Sequence, residues 1–360
     1  MAKVGFDNIG CKGLLKVICN KSGWSLCIGA GTSKGAFPDW PTLVYKLVAS
    51  DVGDKEAATL LDALRGQASL DALIQAAQDR LKLSAQEFSK RLSTELYSDF
   101  RKAVGADWPL CVAALCANSP GDLKPDEWNK FLAAIQTKFP NLSATALAEI
   151  IADIADKSFA PVSIISFNAE PLLYALVNAF MATRKSSTHK SGSILFPKRP
   201  MDRVTQSISY RESGRIQFFH CHGLLPIEGA PKKFLREVVA DKLVFSEGEY
   251  LQLANASFSW QASVFTSTSL FRSIVFVGLS FSDSNIRRWL AWVHANKMNE
   301  LRLQGSNVVD STEHYWISSA SNKSANEKLW IESSVSHLGV RLIWLTGWGD
   351  LRACFRSMLK

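Results

Sequence analysis

The chain has 360 residues, of which 47% are hydrophobic and 21% are charged. These proportions are close to the globular average, and they exclude a disordered, collagen-like or coiled-coil chain. At about 150 residues per domain, the length predicts two domains or one large α/β domain with an insertion. The net charge of +8 indicates an anionic partner, but it does not distinguish nucleic acid, membrane or a phosphorylated small molecule.

Seven cysteines are scattered along the chain, and no two of them form a C-x-x-C pair. The odd number and the spacing exclude a disulfide framework and the usual zinc ribbon. The first residues show no basic stretch followed by an apolar one, and no apolar run approaches the ~18 residues of a membrane span. We therefore expect a soluble cytoplasmic protein that binds no metal and no membrane.

Short apolar runs typical of buried parallel strands recur along the chain, and the first ends in Gly29. The predicted strands are 24–29, 162–167, 217–222, 242–245, 274–278, 315–318 and 340–345. Most of these runs are followed by helix-like segments. The alternation predicts an α/β fold, a Rossmann-like parallel sheet with helices on both faces.

Residues 41–157 interrupt this alternation with helical patterns alone. Ser84 and Glu87 fit a capping box before an amphipathic run, and apolar residues recur at helical spacing near 147–154. We expect an inserted all-helical subdomain at 41–157. The sheet domain would then consist of residues 1–40 and 158–360.

Residues 184–215 carry eight Lys and Arg side chains but only two acidic ones. A charge run of this kind is most often a solvated loop, and a lid or a partner-binding arm is the alternative. The chain contains none of the common nucleic-acid-binding motifs, and its basic residues do not alternate with aromatic ones along strands. The sequence therefore does not predict sequence-specific nucleic-acid binding.

A glycine-rich loop, Gly29-Ala30-Gly31-Thr32-Ser33, follows the first predicted strand directly. Glycines there allow close approach to a pyrophosphate, and free N–H groups at the following turn would favour the anion. Gly35 comes one residue too late for G-x-G-x-x-G, and no acidic residue ends a second strand about 20 residues on. An ordinary Rossmann dehydrogenase is thus disfavoured. A tight strand-to-helix turn without a ligand is the alternative.

The loop continues into Phe37-Pro38-Asp39-Trp40, and together these residues resemble the opening of the sirtuin family of NAD-dependent deacylases and NAD-cleaving enzymes. The resemblance implies that the loop holds the NAD pyrophosphate. It also places Asp39 and Trp40 among the cofactor-binding residues, with Trp40 shielding the nicotinamide pocket. Pro41 stands where deacylases have an arginine.

Ser166-Phe167-Asn168-Ala169-Glu170, followed by two leucines, resembles the family element Thr-x-Asn-x-Asp-x-Leu-Leu. The resemblance makes Asn168 a catalytic residue and Glu170, in place of the usual aspartate, a cofactor-binding one. From its position before an apolar helical run, Asn168 could instead be a helix N-cap.

The predicted strand 217–222 ends in His222-Gly223, at the edge where parallel sheets bind ligands. Alternation along the strand puts His220 and His222 on one face and Cys221 on the other, so the three cannot readily bind one metal. His222-Gly223 resembles the family's catalytic His-Gly and makes His222 the catalytic histidine, with His220 as its buried neighbour. A structural core histidine is the alternative.

Residues 274–287 resemble the element Phe-x-Gly-x-Ser-x-x-Asp-x-Asn-(Ile/Leu)-Arg of the bacterial sirtuin-like branch associated with antiviral defence. This resemblance implies that Gly278 and Ser280 approach the adenine-side ribose. Asp283 and Asn285 complete the cofactor-binding set, and they would cap the next helix or anchor its loop.

The resemblance implies an NAD+ glycohydrolase that releases ADP-ribose and nicotinamide, with NAD as substrate. It further implies an antiphage effector activated by homo-oligomerisation or by a partner of the ATPase or Argonaute type. Deacylases of the family typically carry a four-cysteine zinc ribbon, so the absence of C-x-x-C favours hydrolysis over deacylation. Two alternatives stay open: an NAD-dependent deacylase, and a non-catalytic module that binds NAD or ADP-ribose.

Overall fold

The computed structural model describes residues 14, 23–155, 157–184, 201–205, 215–237, 243–249, 251, 259–306 and 311–358. Its described strands form one parallel sheet in the order β3-β4-β2-β1-β5-β6-β7. The strands are β1 (Trp24–Ile28), β2 (Ser163–Ser166), β3 (Met201–Val204), β4 (Ile216–His220), β5 (Ser273–Val277), β6 (His314–Ser319) and β7 (Val340–Leu345).

Helices fill the connections between the strands. Those between β1 and β2 are α1 (Trp40–Val52), α2 (Asp54–Ala63), α3 (Leu70–Leu81), α4 (Ala85–Val104), α5 (Trp108–Cys116), α6 (Pro125–Lys138) and α7 (Ser143–Ile154). The later helices are α8 (Leu172–Thr183), α9 (Lys232–Glu237), α10 (Trp260–Phe271), α11 (Ser284–Leu303), α12 (Ala325–Ser336) and α13 (Leu351–Met358). Among the described residues, none of the helices has the length and apolar composition needed to cross a bilayer.

Both faces of the sheet are covered, as the sequence predicts. Successive β1 residues point to opposite faces, so Leu26 and Ile28 join one apolar cluster while Cys27 joins the other. Helices α10, α11 and α12 contribute to the cluster around Cys27. Helices α1 and α3 to α8 contribute to the cluster around Leu26, together with α13. The α/β Rossmann-like class is confirmed.

The helices between β1 and β2 follow from local sequence signals. The predicted capping box is present at α4, where the Ser84 hydroxyl and the Glu87 carboxylate each bond the other residue's backbone N–H. Four side chains at a spacing of four residues, Phe88, Leu92, Leu96 and Phe100, bury the inner face of α4. They enter the same apolar cluster as β1, so these helices share one core with the sheet face that they cover.

Two predictions about strands are wrong. Residues 243–245 lie outside the sheet, because the N–H groups of Phe245 and Ser246 bond the Glu249 carboxylate instead of a strand. Conversely, the basic segment 184–215 contains the edge strand β3, of which only Met201 and Val204 are buried. Residues 185–200 and 206–214 lie outside the described part of the chain, so the choice between lid, arm and loop stays open there.

The order of the strands determines where loops converge. β1 pairs with β2 on one side and with β5 on the other, and all three run parallel. The segments that leave their carboxyl ends therefore meet at one edge of the sheet, and the chain order reverses direction there. In open α/β sheets this switch point is the usual place for a ligand crevice. The predicted site residues Gly29, Asn168 and Gly278 follow these three strands.

Candidate functional site

The loop after β1 packs directly on the loop after β5. The Gly29 N–H donates to the Val277 carbonyl at 3.2 Å, and the Gly31 N–H donates to the Gly278 carbonyl at 2.9 Å. A Cβ built on Gly31 would lie 2.8 Å from that same carbonyl oxygen. Glycine is therefore required at Gly31 because two backbones touch, whether or not a ligand is bound.

The same loop corrects one expectation. Residues 30–32 form a single 3₁₀ turn, and the N–H groups of Thr32 and Ser33 donate to the carbonyls of Gly29 and Ala30. With Gly29 and Gly31 bonded to the β5 loop, four of the loop's N–H groups are engaged by carbonyls. The free N–H groups expected for a pyrophosphate are thus largely used within the protein.

Asn168 lies at the centre of a buried polar network beside this turn. Its Nδ2 donates to the Thr32 hydroxyl at 3.2 Å, the Ser33 hydroxyl at 3.4 Å and Glu170 Oε1 at 2.9 Å. Its Oδ1 is buried and has no hydrogen-bond partner among the described residues. The three acceptors fix the orientation of the amide, so Oδ1 is the atom left to accept a hydrogen bond from a bound molecule.

Glu170 caps the helix that follows, a role that was open for Asn168. Glu170 Oε2 accepts the Leu172 N–H at the start of α8 at 2.5 Å, and Pro171 occupies the N-cap position. Burial raises the pKa of Glu170 to about 7, although hydrogen bonds from Leu172, Ser33 and Asn168 act in the opposite direction. Asn168 is therefore not the helix cap.

His222 lies two residues beyond the end of β4, so the alternation argued for residues 220–222 does not extend to it. Its ring contacts the Phe167 ring edge-on at a centroid distance of 4.8 Å, and Phe167 directly precedes Asn168. Burial lowers the pKa of His222, while the Asp283 carboxylate and the Phe167 backbone favour the protonated form. The structure thus brings His222 next to the Asn168 segment.

The segment after β5 completes this edge of the sheet. Asp283 is the N-cap of α11 and accepts the N–H groups of Asn285 and Ile286, as the sequence predicts. Asn285 is buried, and its Oδ1 accepts a hydrogen bond from Arg288. Ser280 is exposed, and its hydroxyl lies 2.6 Å from that of Ser282.

Comparison with protein families matches residues 179–338 to the SIR2-like domain. This part of the chain is similar to the SIR2-like domain. The match includes His222, Gly278 and Asp283, and it begins after the Gly29–Ser33 loop and Asn168. A comparison with curated proteins found no match. Members of the SIR2-like family are usually NAD-dependent enzymes, and the domain implies NAD binding.

Two further predicted residues of this sirtuin-like protein flank the site from α1. Burial raises the pKa of Asp39, but hydrogen bonds from Thr42 and Lys34 outweigh that effect and place the pKa below its ordinary value. Trp40 stacks at a tilt on Phe245 with a centroid distance of 5.3 Å. The residue before Phe245, Val244, donates its N–H to the His222 carbonyl, so the segment that Trp40 contacts is hydrogen-bonded to the backbone of His222.

The sequence did not point to two other residues at this edge. Tyr97 on α4 is buried, its hydroxyl has no hydrogen-bond partner among the described residues, and the charge of Glu170 helps to raise its pKa. Lys34 is largely exposed and forms an ion pair with Asp39 at 2.9 Å. Lys34 is the cation nearest in sequence to the glycine loop. Nothing in the sequence around Tyr97 indicates that this residue lies close to Glu170.

Two cavities lie at the opposite edge of the sheet. Their volumes are about 390 and 190 Å³, and they involve Val340 at the start of β7 and Ser273 at the start of β5. Both therefore lie at the amino-terminal edge, away from Asn168 and His222. Within the described ranges, no group of three or more His, Cys, Asp or Glu side chains is placed to hold a metal ion.

Proposed function

We propose that the protein is an NAD+ glycohydrolase that cleaves NAD+ to ADP-ribose and nicotinamide. The observation that carries the proposal is the buried Asn168 amide, whose Nδ2 is held by three acceptors while Oδ1 has no partner in the described structure. A buried carbonyl oxygen without a donor is costly unless a bound molecule supplies one. A ribose hydroxyl or a water molecule is a suitable donor.

The reaction makes modest demands on acid catalysis. Nicotinamide is already cationic when it is bonded to the ribose, so it departs as a neutral molecule without first accepting a proton. The site must stabilise the positive charge that develops on the ribose, and it must place a water molecule on the opposite face. Neutral or anionic oxygen groups suit that charge, and Asn168 Oδ1 and the Glu170 carboxyl supply them.

His222 suits the role of general base toward that water molecule. A general base must be unprotonated at the working pH, and burial lowers the pKa of His222 in that direction. The ring is held by its contact with Phe167, the residue before Asn168. In this assignment Asn168 holds the hydroxyls or the water, and His222 accepts the proton that the water loses.

The remaining contacts suit the other parts of a dinucleotide. Most N–H groups of the 29–33 loop are engaged, and the Thr32 and Ser33 hydroxyls donate to the Gly29 and Ala30 carbonyls. The exposed Lys34 ammonium, which pairs with Asp39, is therefore the group best suited to meet the pyrophosphate. Trp40 would cover the nicotinamide side through its contact with Phe245. Gly278, Ser280 and the start of α11 would face the adenine-side ribose.

An acyl-lysine deacylase uses the same first step, with the acyl oxygen as nucleophile instead of water. The chain has no C-x-x-C pair, which such enzymes typically use to build a zinc ribbon beside the peptide cleft. Hydrolysis is therefore the better-supported outcome. A non-catalytic NAD sensor would need a binding loop, but it would not need His222 packed against Phe167, the residue before Asn168.

We also propose that NAD cleavage serves antiphage defence and is switched on by self-assembly or by a partner of the ATPase or Argonaute type. This part of the proposal rests on residues 274–287, which resemble the element of the bacterial sirtuin-like branch associated with antiviral defence. Full activity of the dilute monomer alone would contradict this part of the proposal.

The test is incubation of the purified chain with NAD+, alone and with the product of its neighbouring gene, followed by identification of the products by mass. We expect ADP-ribose and nicotinamide in equimolar amounts. Asn168→Ala should lower the rate by at least about 100-fold, a loss typical of a catalytic group. Asn326→Ala, on the exposed face of α12, is the matched control and should leave the rate unchanged.

Three results would contradict the assignment. Cleavage by Asn168→Ala and His222→Ala at the parental rate would remove both residues from the mechanism. Efficient removal of acyl groups from lysine peptides would favour the deacylase. Intact NAD+ after long incubation with every candidate activator, together with saturable binding by calorimetry, would favour the sensor.

A further inference from the structure

We propose that Asp283, beyond capping α11, is a positioning residue for His222: its second carboxylate oxygen orients and stabilises the histidine when that ring accepts a proton. The inference rests on the proposed glycohydrolase function and deepens it by giving the base a partner. From the sequence, Asp283 is expected to cap the next helix and to belong to the cofactor-binding set. The proposal gives it a further role.

The two oxygens of Asp283 face different groups. Oδ1 accepts the N–H groups of Asn285 and Ile286 at 2.8 and 3.2 Å, which fixes the carboxylate at the start of α11. Oδ2 lies 3.9 Å from Nε2 of His222. That distance is too long for a hydrogen bond but short enough for a strong charge interaction, and a small ring rotation would close it.

The pair is shielded from solvent, which strengthens its interaction. The side chains of His222 and Asp283 are 9% and 16% exposed. Charges in such a position are screened far less than those of surface ion pairs. A carboxylate held there therefore favours an imidazolium more than an exposed one would.

The loop that carries Asp283 is held firmly. Phe281 has a left-handed backbone, with φ of 56°, and its ring packs on Phe276 and Trp316 at centroid distances of 4.9 and 4.7 Å. At the other end of the loop, Gly278 packs on the backbone of Thr32. Strained backbone of this kind is retained where the surrounding structure fixes it, and here it presents a carboxylate to His222.

Asp283 is a charged partner of His222, and the Phe167 backbone is a second polar group that acts on the ring. The thiols of Cys27 and Cys221 lie in the same buried region, and burial raises the pKa of both, so neither carries charge near neutral pH. Burial lowers the pKa of His222, and Asp283 opposes that shift.

The proton balance of the step is simple. The attacking water loses a proton to His222 as its oxygen forms a bond to the ribose carbon, and nicotinamide leaves with the electron pair of the N-glycosidic bond. The resulting imidazolium is stabilised by the Asp283 carboxylate. His222 then returns the proton to solvent, so no other reactant is required.

The decisive variant is Asp283→Asn, because asparagine is also a good N-cap and the helix start is retained while the charge is lost. The acidic limb of the kcat/KM profile should move down by about one pH unit, the lower end for loss of a neighbouring opposite charge. A weaker base should also lower the plateau by roughly three- to tenfold, as Brønsted behaviour requires. Ser324→Ala removes the cap of the distant helix α12 and should move neither.

A second measurement needs no activity. NMR titration of the histidine ring protons, with His222→Gln used to assign the His222 signal among the six histidines, reports the pKa directly. Asp283→Asn should lower that pKa, and Ser324→Ala should leave it unchanged. An unchanged His222 pKa in Asp283→Asn would overturn the pairing, whatever the enzyme does.

The two failures are distinguishable. If the pKa moves but neither variant nor parent cleaves NAD+ under any activating condition, the pair stands and the glycohydrolase proposal fails. If NAD+ is cleaved and the acidic limb is the same in parent and Asp283→Asn, the glycohydrolase stands and the positioning role fails. A lower pKa of His222 in Asp283→Asn, together with an acidic limb of the kcat/KM profile at lower pH, supports the inference.

Discussion

The α-carbon of Gly278 packs on the backbone nitrogen of Thr32: a Cβ built on Gly278 would lie 2.5 Å from that nitrogen and 2.7 Å from the Thr32 methyl carbon. Gly278 also has φ of +70°, which L side chains rarely adopt. Because the Thr32 hydroxyl accepts a hydrogen bond from Asn168, this contact joins the β5 loop to the proposed catalytic amide.

Gly278→Ala should therefore destabilise the fold by about 2–5 kcal/mol, the sum of about 1–2 kcal/mol for backbone strain and about 1–3 kcal/mol for steric overlap. Gly229→Ala is the matched control, because Gly229 has φ of +84° but a Cβ added there would meet nothing within 4 Å. The control should lose only about 1–2 kcal/mol. Denaturant unfolding measures both values, and equal losses would refute the argument from overlap.

Glu170→Gln should remove a pH dependence of stability. The pKa of Glu170 is raised by burial to about 7 from an ordinary 4.5, so the folded state binds its proton more tightly than the unfolded state. Its contribution is full below pH 4.5 and is lost as the pH rises through 7. The loss amounts to at most about 3 kcal/mol in the parent, and we expect it to be absent from the variant.

Denaturant unfolding from about pH 4 to about pH 8, a range that brackets both pKa values, measures this difference between parent and variant. Glu327→Gln serves as the control of opposite sign, since hydrogen bonds from the Ser324 backbone and hydroxyl lower the pKa of that exposed carboxylate. Its contribution is present above the ordinary pKa and fades in acid. If the free energy of unfolding changed with pH in the same way in the parent and in Glu170→Gln, Glu170 would not have the raised pKa argued here.

His314 should make the protein acid-sensitive. Its Nδ1 accepts the Ile274 N–H at 3.2 Å, and burial, aided by the charges of Lys297 and His294, lowers its pKa to about 3. Its contribution is full above the ordinary pKa of 6.5 and is lost as the pH falls toward 3, by at most about 5 kcal/mol. His314→Asn retains an acceptor but cannot titrate.

The acid unfolding midpoint should therefore move to lower pH in His314→Asn, as followed by circular dichroism. His337→Asn, a change at an exposed histidine, is the control and should leave the midpoint in place. A lower stability of His314→Asn at neutral pH is compatible with this prediction. An acid midpoint that stays at the parental value is not.

Two tryptophans on α11 should differ sharply in their effect on stability. The sequence context suggests core packing for both, but Trp289 is 6% exposed and packs on Phe265, whereas Trp292 is 62% exposed. Trp289→Ala should cost about 3–5 kcal/mol. Trp292→Ala should change the free energy of unfolding by no more than about 0.5 kcal/mol. Thermal unfolding followed by calorimetry separates the two cases.

The α/β fold could be predicted from the sequence because its central strands are continuous apolar runs buried on both faces. β3 escaped prediction because Asp202 and Arg203 lie within it and only its end residues are buried, as suits an edge strand in a basic segment. Residues 243–245 look like a strand, but Glu249 takes up the next N–H groups. Competing side-chain bonds of this kind leave no periodic signal.

At the site, motif spacing was enough to single out Asn168, His222 and Asp283. It could not show that the N–H groups of the glycine loop are engaged, because their acceptors include carbonyls about 250 residues away. Motif spacing also could not show that Tyr97 lies close to Glu170, or that Asp283 lies close to His222 as well as capping α11. These relationships depend on which loops the parallel strands bring to one edge, and that order is a property of the folded sheet.

The shared core of the sheet and the helices between β1 and β2 has a practical consequence. Leu26 and Ile28 are covered on their face by those helices and by the later ones that join the same cluster. Excision of residues 41–157 would expose a broad apolar sheet surface, and the shortened chain would aggregate rather than report on the proposed NAD site. The two parts should melt together in a single cooperative transition, so neither can be lost without the other.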